Sequence, residues 1–288
     1  MASGVATGLS PSDTQIARVT LGKMIQQLRK SRRVTSQALG KALGWSQSKM
    51  SKVENGVAAI KEHELLRIAE ILGATDRQIQ QLQFRFGLTE LPPLSTRALV
   101  AHGVDRHQRA IAEYERLARV IDVYCHSVVP GLLQTPDYTR ALLGHFGVPE
   151  RAIDPAVEER LIRQRILAHA AREFHFLLSE TVLYSLVGSR DVQVEQLEAL
   201  KLRALTKSIR IGIIPTASGT PPRALSEFTV FNSDFVTSET VVIEQHFSDP
   251  VDVNVFVSLH ADLSSRAHYG QESAVLIDRA MSALMSQE

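Results

Sequence analysis

One cysteine, Cys125, stands in a chain of 288 residues. A single thiol excludes an intrachain disulfide framework and a multi-cysteine zinc site, and it fits a reducing cytoplasm. Long apolar runs are missing too. None approaches the roughly 18 residues that span a bilayer, so no membrane association is expected. Met1–Ser12 lacks a basic start followed by an apolar stretch, so no secretory signal is expected either. The familiar catalytic spacings are absent: there is no Gly-x-Ser-x-Gly, no P-loop, no Gly-x-Gly-x-x-Gly after a strand and no His-Glu-x-x-His. The chain is therefore expected not to be an enzyme, with no catalytic residue, cofactor or metal. Its ten histidines are scattered. His169 and His175 flank Arg172-Glu173, but they straddle a helix-to-strand junction and read as exposed or capping residues rather than ligands. Cys125 lies in an apolar strand candidate and reads as a buried, inert thiol.

What is present is ordinary in bulk and uneven in arrangement. Hydrophobic residues at 44% and charged residues at 22% exclude wholesale disorder. Net charge is only +1, yet between Arg18 and Lys61 ten basic residues face a single acid, Glu54. That segment carries a net +9 and leaves about −8 to the remainder. A basic block on an acidic body points to an N-terminal polyanion-binding module.

Residues 1–17 are rich in Ala, Ser, Gly and Thr without apolar periodicity, and are expected to form a disordered tail. From Thr20 to Phe86 the pattern predicts five short helices. Their apolar stripes include Leu21, Met24, Ile25 and Leu28, then Leu39, Ala42 and Leu43, then Met50 and Val53. Thr35, Ser46 and Thr75 are placed to cap three of them, and Gly44 and Gly73 to end two. Gly40 sits mid-helix, where glycine costs about 1 kcal/mol against alanine, which predicts close approach of the next helix. The span 87–100, with its Pro pair, reads as a linker. Beyond it helices and strands mix. Helices are expected at Asp105–Arg116, from Thr135-Pro136-Asp137, at Pro155–Ala170, Asp191–Leu205, Val251–Arg266 and Gln271–Met285. Strands are expected within Leu117–Val129 and at Phe174–Leu178, Ser208–Ile214, Glu227–Phe231 and Thr240–Phe247. The fold class expected is therefore multi-domain: an all-α five-helix bundle at 18–86 and a larger mixed α/β domain at 101–288.

On a 100° wheel the third helix turns Met50 and Val53 inward. Gln47, Ser48, Ser51 and Lys52 point outward, a small, polar, cationic face without a carboxylate. Such a face can enter a major groove, where Gln and Ser hydrogen-bond base edges and Lys meets guanine or phosphate. These four are the candidate base-contacting residues, with Glu54 lying back toward the inside.

Thr35, Leu39, Gly40, Leu43-Gly44, Ser46, Met50, Val53 and the closing Glu54-Asn55-Gly56 resemble the Xre-type, lambda-repressor-like helix-turn-helix family. The resemblance covers about residues 18–86. It implies that the third helix reads bases, and that the start of the second helix and the loop after the third hold phosphates. The candidate phosphate contacts are then Ser36, Gln37, Lys49 and Asn55, joined by Arg29 and Arg33 from the basic cluster. Where the family often places Gln directly after the second-helix cap, this chain has Ser36, with Gln37 following.

Val129–Leu143 (VPGLLQTPDYTRALL), the Arg-rich helix at Glu158–Gln164 and the strands SIRIGIIP and TVVIEQ resemble the domain of unknown function that often follows this helix-turn-helix in filamentous actinobacteria. Members are often encoded beside a small partner protein. The expected function is a sequence-specific, DNA-binding transcriptional regulator of the bacterial cytoplasm, located at the nucleoid. Its partners are double-stranded DNA, a second copy in a homodimer held by the C-terminal domain, and a small regulatory protein or small-molecule effector. The alternative is an antitoxin-like interaction module that neutralises a small partner protein and uses its DNA-binding domain for autoregulation.

Overall fold

A computed structural model describes residues 12–90, 104–206, 209–218, 224–239 and 244–286. The chain divides into two compact units, Met1–Leu94 and Ser95–Glu288.

The first unit is helical: α1 (Ser12–Ser31), α2 (Ser36–Leu43), α3 (Gln47–Glu54), α4 (Glu62–Ile71) and α5 (Asp76–Glu90). Its core closes around Ile25, Leu39, Met50, Leu65 and Ile68, all fully buried. Two boundaries move. α1 begins at Ser12, inside the stretch expected as a tail. The early turns are held because Ala17 is buried and Gln15 donates its side-chain amide to the Gly56 carbonyl at 3.2 Å. α5 runs on to Glu90, taking in the start of the expected linker, because Leu88 and Thr89 are buried. The rest of that linker, 91–100, lies outside the described residues, as do 1–11 of the tail.

Two glycines let backbones touch where α1 meets the end of α3. A Cβ on Gly22 would stand 2.5 Å from the carbonyl oxygens of Val53 and Glu54. One on Gly56, at φ +69°, would stand 2.5 Å from the Val19 nitrogen. Neither position tolerates a side chain without moving main chain.

The second unit is a seven-stranded mixed sheet with helices: α6 (Val104–Leu117), α7 (Pro136–His145), α8 (Glu150–Gln164), α9 (Thr181–Tyr184), α10 (Arg190–Ala204), α11 (Pro250–Arg266) and α12 (Gln271–Met285). The strands are β1 (Val120–Cys125), β2 (Glu173–Ser179), β3 (Arg210–Ile214), β4 (Glu227–Phe231), β5 (Phe235–Glu239), β6 (Glu244–Phe247) and β7 (His268–Tyr269), in the order β6-β5-β4-β1-β2-β3-β7. β1, β2 and β3 are parallel; the other pairings are antiparallel. Helical crossovers join the parallel strands, as such pairs require. The central strands are buried on both faces, so they read as nearly continuous apolar runs. Ile121, Val123, Phe174, Phe176, Ile211 and Ile213 fill one face. Tyr124, Leu177, Phe228, Val230 and Val236 fill the other, beneath Val253, Leu259 and Leu263 of α11.

Three local differences have physical causes. α8 starts at Glu150, with Pro149 as N-cap and Pro155 inside the helix, rather than at Pro155. Ile153, Ala156 and Val157 bury one side of it against Leu143, which outweighs the lost amide. β5 went unexpected because its apolar residues, Phe235 and Val236, are adjacent and are followed by Thr237, Ser238 and Glu239, which gives no alternation. It forms by a tight reversal through Asn232 and Ser233, both at positive φ. β7 has two residues, below any periodic signal.

Candidate nucleic-acid interface

α2 and α3 are fixed at their ends by local chemistry. The Thr35 hydroxyl accepts from the Ala38 amide at 3.1 Å, and the Ser46 hydroxyl from the Lys49 amide at 3.2 Å. Both serve amides that a helix leaves unpaired at its N-terminus. Between them Gly44 takes φ +72°, and the Trp45 amide reaches back to the Gly40 carbonyl at 2.8 Å. A Cβ on Gly40 would lie 3.3 Å from the Trp45 carbonyl oxygen and 3.7 Å from the Met50 Cβ. The close approach expected at Gly40 therefore comes from the turn as well as from α3.

α3 buries Met50, Val53 and Glu54. Gln47, Ser48, Ser51, Lys52 and Asn55 are all exposed. At about 100° per residue they share roughly 140° of arc. No carboxylate lies among them, because Glu54 points into the bundle. There it accepts from Arg29 twice, Nε to Oε1 at 2.6 Å and Nη2 to Oε2 at 2.9 Å. The remaining Arg29 amine donates to the Val34 carbonyl at 2.8 Å. The expectation that Arg29 holds a phosphate is corrected on this point: the side chain is buried and its donors are engaged inside the bundle.

The other expected contacts divide by what holds them. Arg33 is exposed, with φ +56° just past the end of α1. Gln37 is exposed and Ser36 half-buried in the first turn of α2. Asn55 donates its amide to the Ser51 carbonyl at 2.8 Å, capping α3 while staying exposed. Lys49 lies 3.9 Å from the centre of the Trp45 ring and pairs with Glu64 at 2.8 Å. Burial works to raise the Glu64 carboxyl, but the Lys49 ammonium and the Lys61 amide outweigh it and hold it below the usual range. Arg32, counted in the basic block, donates instead to the carbonyls of Leu72 and Gly73 at 3.0 and 2.9 Å, closing the end of α4. Arg32 keeps its charge, and the field of the block is reduced instead by the pairing of Arg29 with Glu54 and of Lys49 with Glu64.

In the second unit the GLLQTPDY segment is spent on its own fold. Gln134 donates to the Val129 carbonyl at 2.7 Å, and Gln196 accepts from the Thr135 amide at 2.7 Å and donates to the Leu133 carbonyl at 3.0 Å. Tyr138 accepts from the Val129 amide at 3.2 Å.

A family model described as a helix-turn-helix domain matches residues 20–82. A second, described as a domain of unknown function (DUF5753), matches residues 108–279, more than half of the chain. The chain belongs to the DUF5753 family. Within it, this member carries a helix-turn-helix domain, the architecture of a DNA-binding regulator, ahead of the DUF5753 domain. No curated protein and no solved structure matches the chain.

The DUF5753 domain also holds a polar cluster that the sequence reading missed. Asp122, His175 and His260 each bring a possible ligand atom within 4.8 Å of the others. His175 lies half-buried in β2, so its reading as an exposed or capping residue is corrected; His169 is exposed. Burial pushes His175 down to about 3, helped by His260 and Arg210. It pushes His260 down to about 4, against main-chain groups of Val123 and His175. Burial pushes Asp122 up to about 6, with Glu173 adding and Arg210 opposing. The available signal was a lone Asp and a lone His, each breaking an otherwise apolar strand at positions facing the same side.

Proposed function

We propose that this protein is a sequence-specific transcriptional regulator of the Xre, lambda-repressor-like type that places α3 in the major groove. The observation that carries the reading is the exposed, carboxylate-free face of α3 on a helix whose other face is locked in the core. Gln47, Ser48, Ser51 and Lys52 meet base edges. Arg33, Ser36, Gln37 and Asn55 hold the flanking phosphates, with Lys49 adding its charge from the Trp45 ring. The protein works as a homodimer in the bacterial cytoplasm, at the nucleoid, and the DUF5753 domain supplies the dimer contact and receives a regulatory partner or effector. Among the described residues, large exposed apolar side chains of the first unit are Val57 and Leu66, whereas the second exposes Phe146, Leu202, Leu225 and Val251 more strongly than Leu66. That imbalance favours dimerisation through the second unit.

Selection of bound DNA from a random library tests the reading. The expected product is a palindromic site whose preference changes at defined positions in Ser48→Ala and Lys52→Ala. A library that yields no site, or one unchanged by every α3 variant, counts against it.

A further inference from the structure

The sheet face beneath α11 carries a row of polar side chains that DNA recognition does not use. Asp122 pairs in register with His175 on β2, and His175 with Arg210 on β3. Register partners on neighbouring strands face the same side. On that side Asp122 has Val230 as its other neighbour, and α11 brings His260 down from above. The rings of His175 and His260 meet edge to face with centres 4.8 Å apart. His260 is buried, and its Nε2 is shielded from water without a hydrogen-bond partner among the described residues. Main-chain groups of Val123 and His175 act on the ring, yet none satisfies this nitrogen, which forfeits its hydration. A native protein accepts that where something else occupies the position.

The surroundings set the chemistry. Tyr269 Oη donates to the Ser264 carbonyl at 3.2 Å and lies 2.8 Å from the Ser264 hydroxyl and 2.9 Å from His175 Nε2. With the phenol proton taken to lie on the Ser264 carbonyl, the phenol accepts from His175 Nε2–H and the Nδ1 lone pair is left for a ligand. A histidine whose second nitrogen is held in this way is the usual arrangement at a metal. The tyrosine reaches His175 only because β3 has Gly212 beneath it: a Cβ there would stand 2.7 Å from the ring of Tyr269 and 2.9 Å from a methyl of Leu177.

We propose that Asp122, His175 and His260 bind one divalent first-row transition-metal ion, with a position left open to water or a further ligand. Two imidazoles and one carboxylate suit zinc or a metal of similar preference. Calcium and magnesium, which take oxygen ligands, are disfavoured by the two nitrogens. In a tetrahedral site with bonds of about 2.0–2.1 Å, ligand atoms sit roughly 3.3 Å apart. The present spread is within 4.8 Å, and binding requires the side chains to close to the shorter separation. Arg210, stacked 4.5 Å from the centre of the Tyr269 ring, adds a positive charge beside the cluster, and the carboxylates of Asp122 and Glu173 offset it.

The test uses the full chain stripped with a chelator and titrated with zinc, and in parallel with cobalt(II), without DNA. One equivalent per chain is expected to bind, with cobalt ligand-field bands and an X-ray absorption shell containing imidazole nitrogens. Asp122→Asn and His260→Gln should each abolish stoichiometric binding, whereas His145→Ala, at an exposed position, should not. Tyr269→Phe should weaken binding about 10–100-fold by releasing His175. Binding that survives both ligand variants overturns the proposal. So does the absence of stoichiometric binding by the wild type. Should the variants fail to fold, the absorption shell of the loaded wild type decides: a shell without two imidazoles refutes it. Because DNA takes no part, failure here leaves the helix-turn-helix reading standing.

Discussion

Arg29 and Glu54 meet side-on in the interior of the first unit, joining the end of α1 to the end of α3 through two hydrogen bonds of 2.6 and 2.9 Å. Their side chains are only 10% and 4% exposed, so each is the other's counter-charge. Removing one partner from a buried pair strands the other, at a cost of about 3–5 kcal/mol. Arg29→Ala is therefore expected to lower the denaturant midpoint of the first unit sharply. The salt dependence of DNA binding by the folded fraction should stay as in the wild type. A well-folded Arg29→Ala protein with a shallower salt slope would return Arg29 to the phosphate contacts.

Lys52 and Arg33 should behave in the opposite way. Lys52→Ala is expected to cost about 1–3 kcal/mol at one operator position. Arg33→Ala should weaken all sequences alike and reduce the slope of log affinity against log salt by about 0.9. Both proteins should unfold as the wild type does. Fluorescence anisotropy across a salt series, with operator and scrambled DNA, separates the two outcomes.

The same Arg33 occupies left-handed backbone, φ +56°, at a helix end where glycine is the usual choice. Arg33→Gly should raise stability by about 0.5–1 kcal/mol, the relief of strain less the added entropy of glycine. It should weaken DNA binding as Arg33→Ala does. Thermal unfolding and binding measured on one preparation check the pair of effects.

Acid should loosen the first unit through Glu64. Its carboxyl sits below the ordinary value when folded, so its pairing with Lys49 stabilises above that value and is lost as pH falls through the lowered one. Chemical unfolding at stepped pH below 5 should show a declining midpoint, and Glu64→Gln should flatten that decline. An unchanged slope in the variant assigns the acid sensitivity elsewhere.

Assembly gives a further expectation. A fragment of residues 1–90 holds its own core around Ile25, Leu39, Met50 and Leu65 and should fold. It should be monomeric and lose affinity for a two-half-site operator, since linking two sites raises avidity by about 10²–10⁴. Sedimentation of the fragment and full chain, with binding to half and full operators, measures this. A fragment that dimerises and binds as tightly as the whole overturns it.

The helix-turn-helix was legible because its determinants are local. Thr35, Ser46 and Gly44 act on residues three or four places away, and Met50 and Val53 declare an inward face by spacing alone. Phe84 was harder: it lies near the expected linker and outside the apolar stripes read from spacing, yet it is buried. The fate of Arg29 could not be read from charge counting, which does not distinguish a cation facing solvent from one paired across a core. Asp122, His175 and His260 lie on separate elements far apart in sequence, and only strand register and the seating of α11 bring them together. A two-residue strand such as β7 has no period at all, yet it delivers Tyr269 to His175.

The bare contact of Gly22 and Gly56 with the main chain around α3 has a consequence for how such a protein changes its target. The parts that set the tilt of α3 are backbone atoms and buried side chains, and none of them is Gln47, Ser48, Ser51 or Lys52. The mount and the reading surface are separate sets of residues. New specificities can therefore be written on the outer face while the inner one stays as it is, as type is changed in a fixed printing frame. A methyl group on either glycine would instead tilt the whole line, shifting every contact at once.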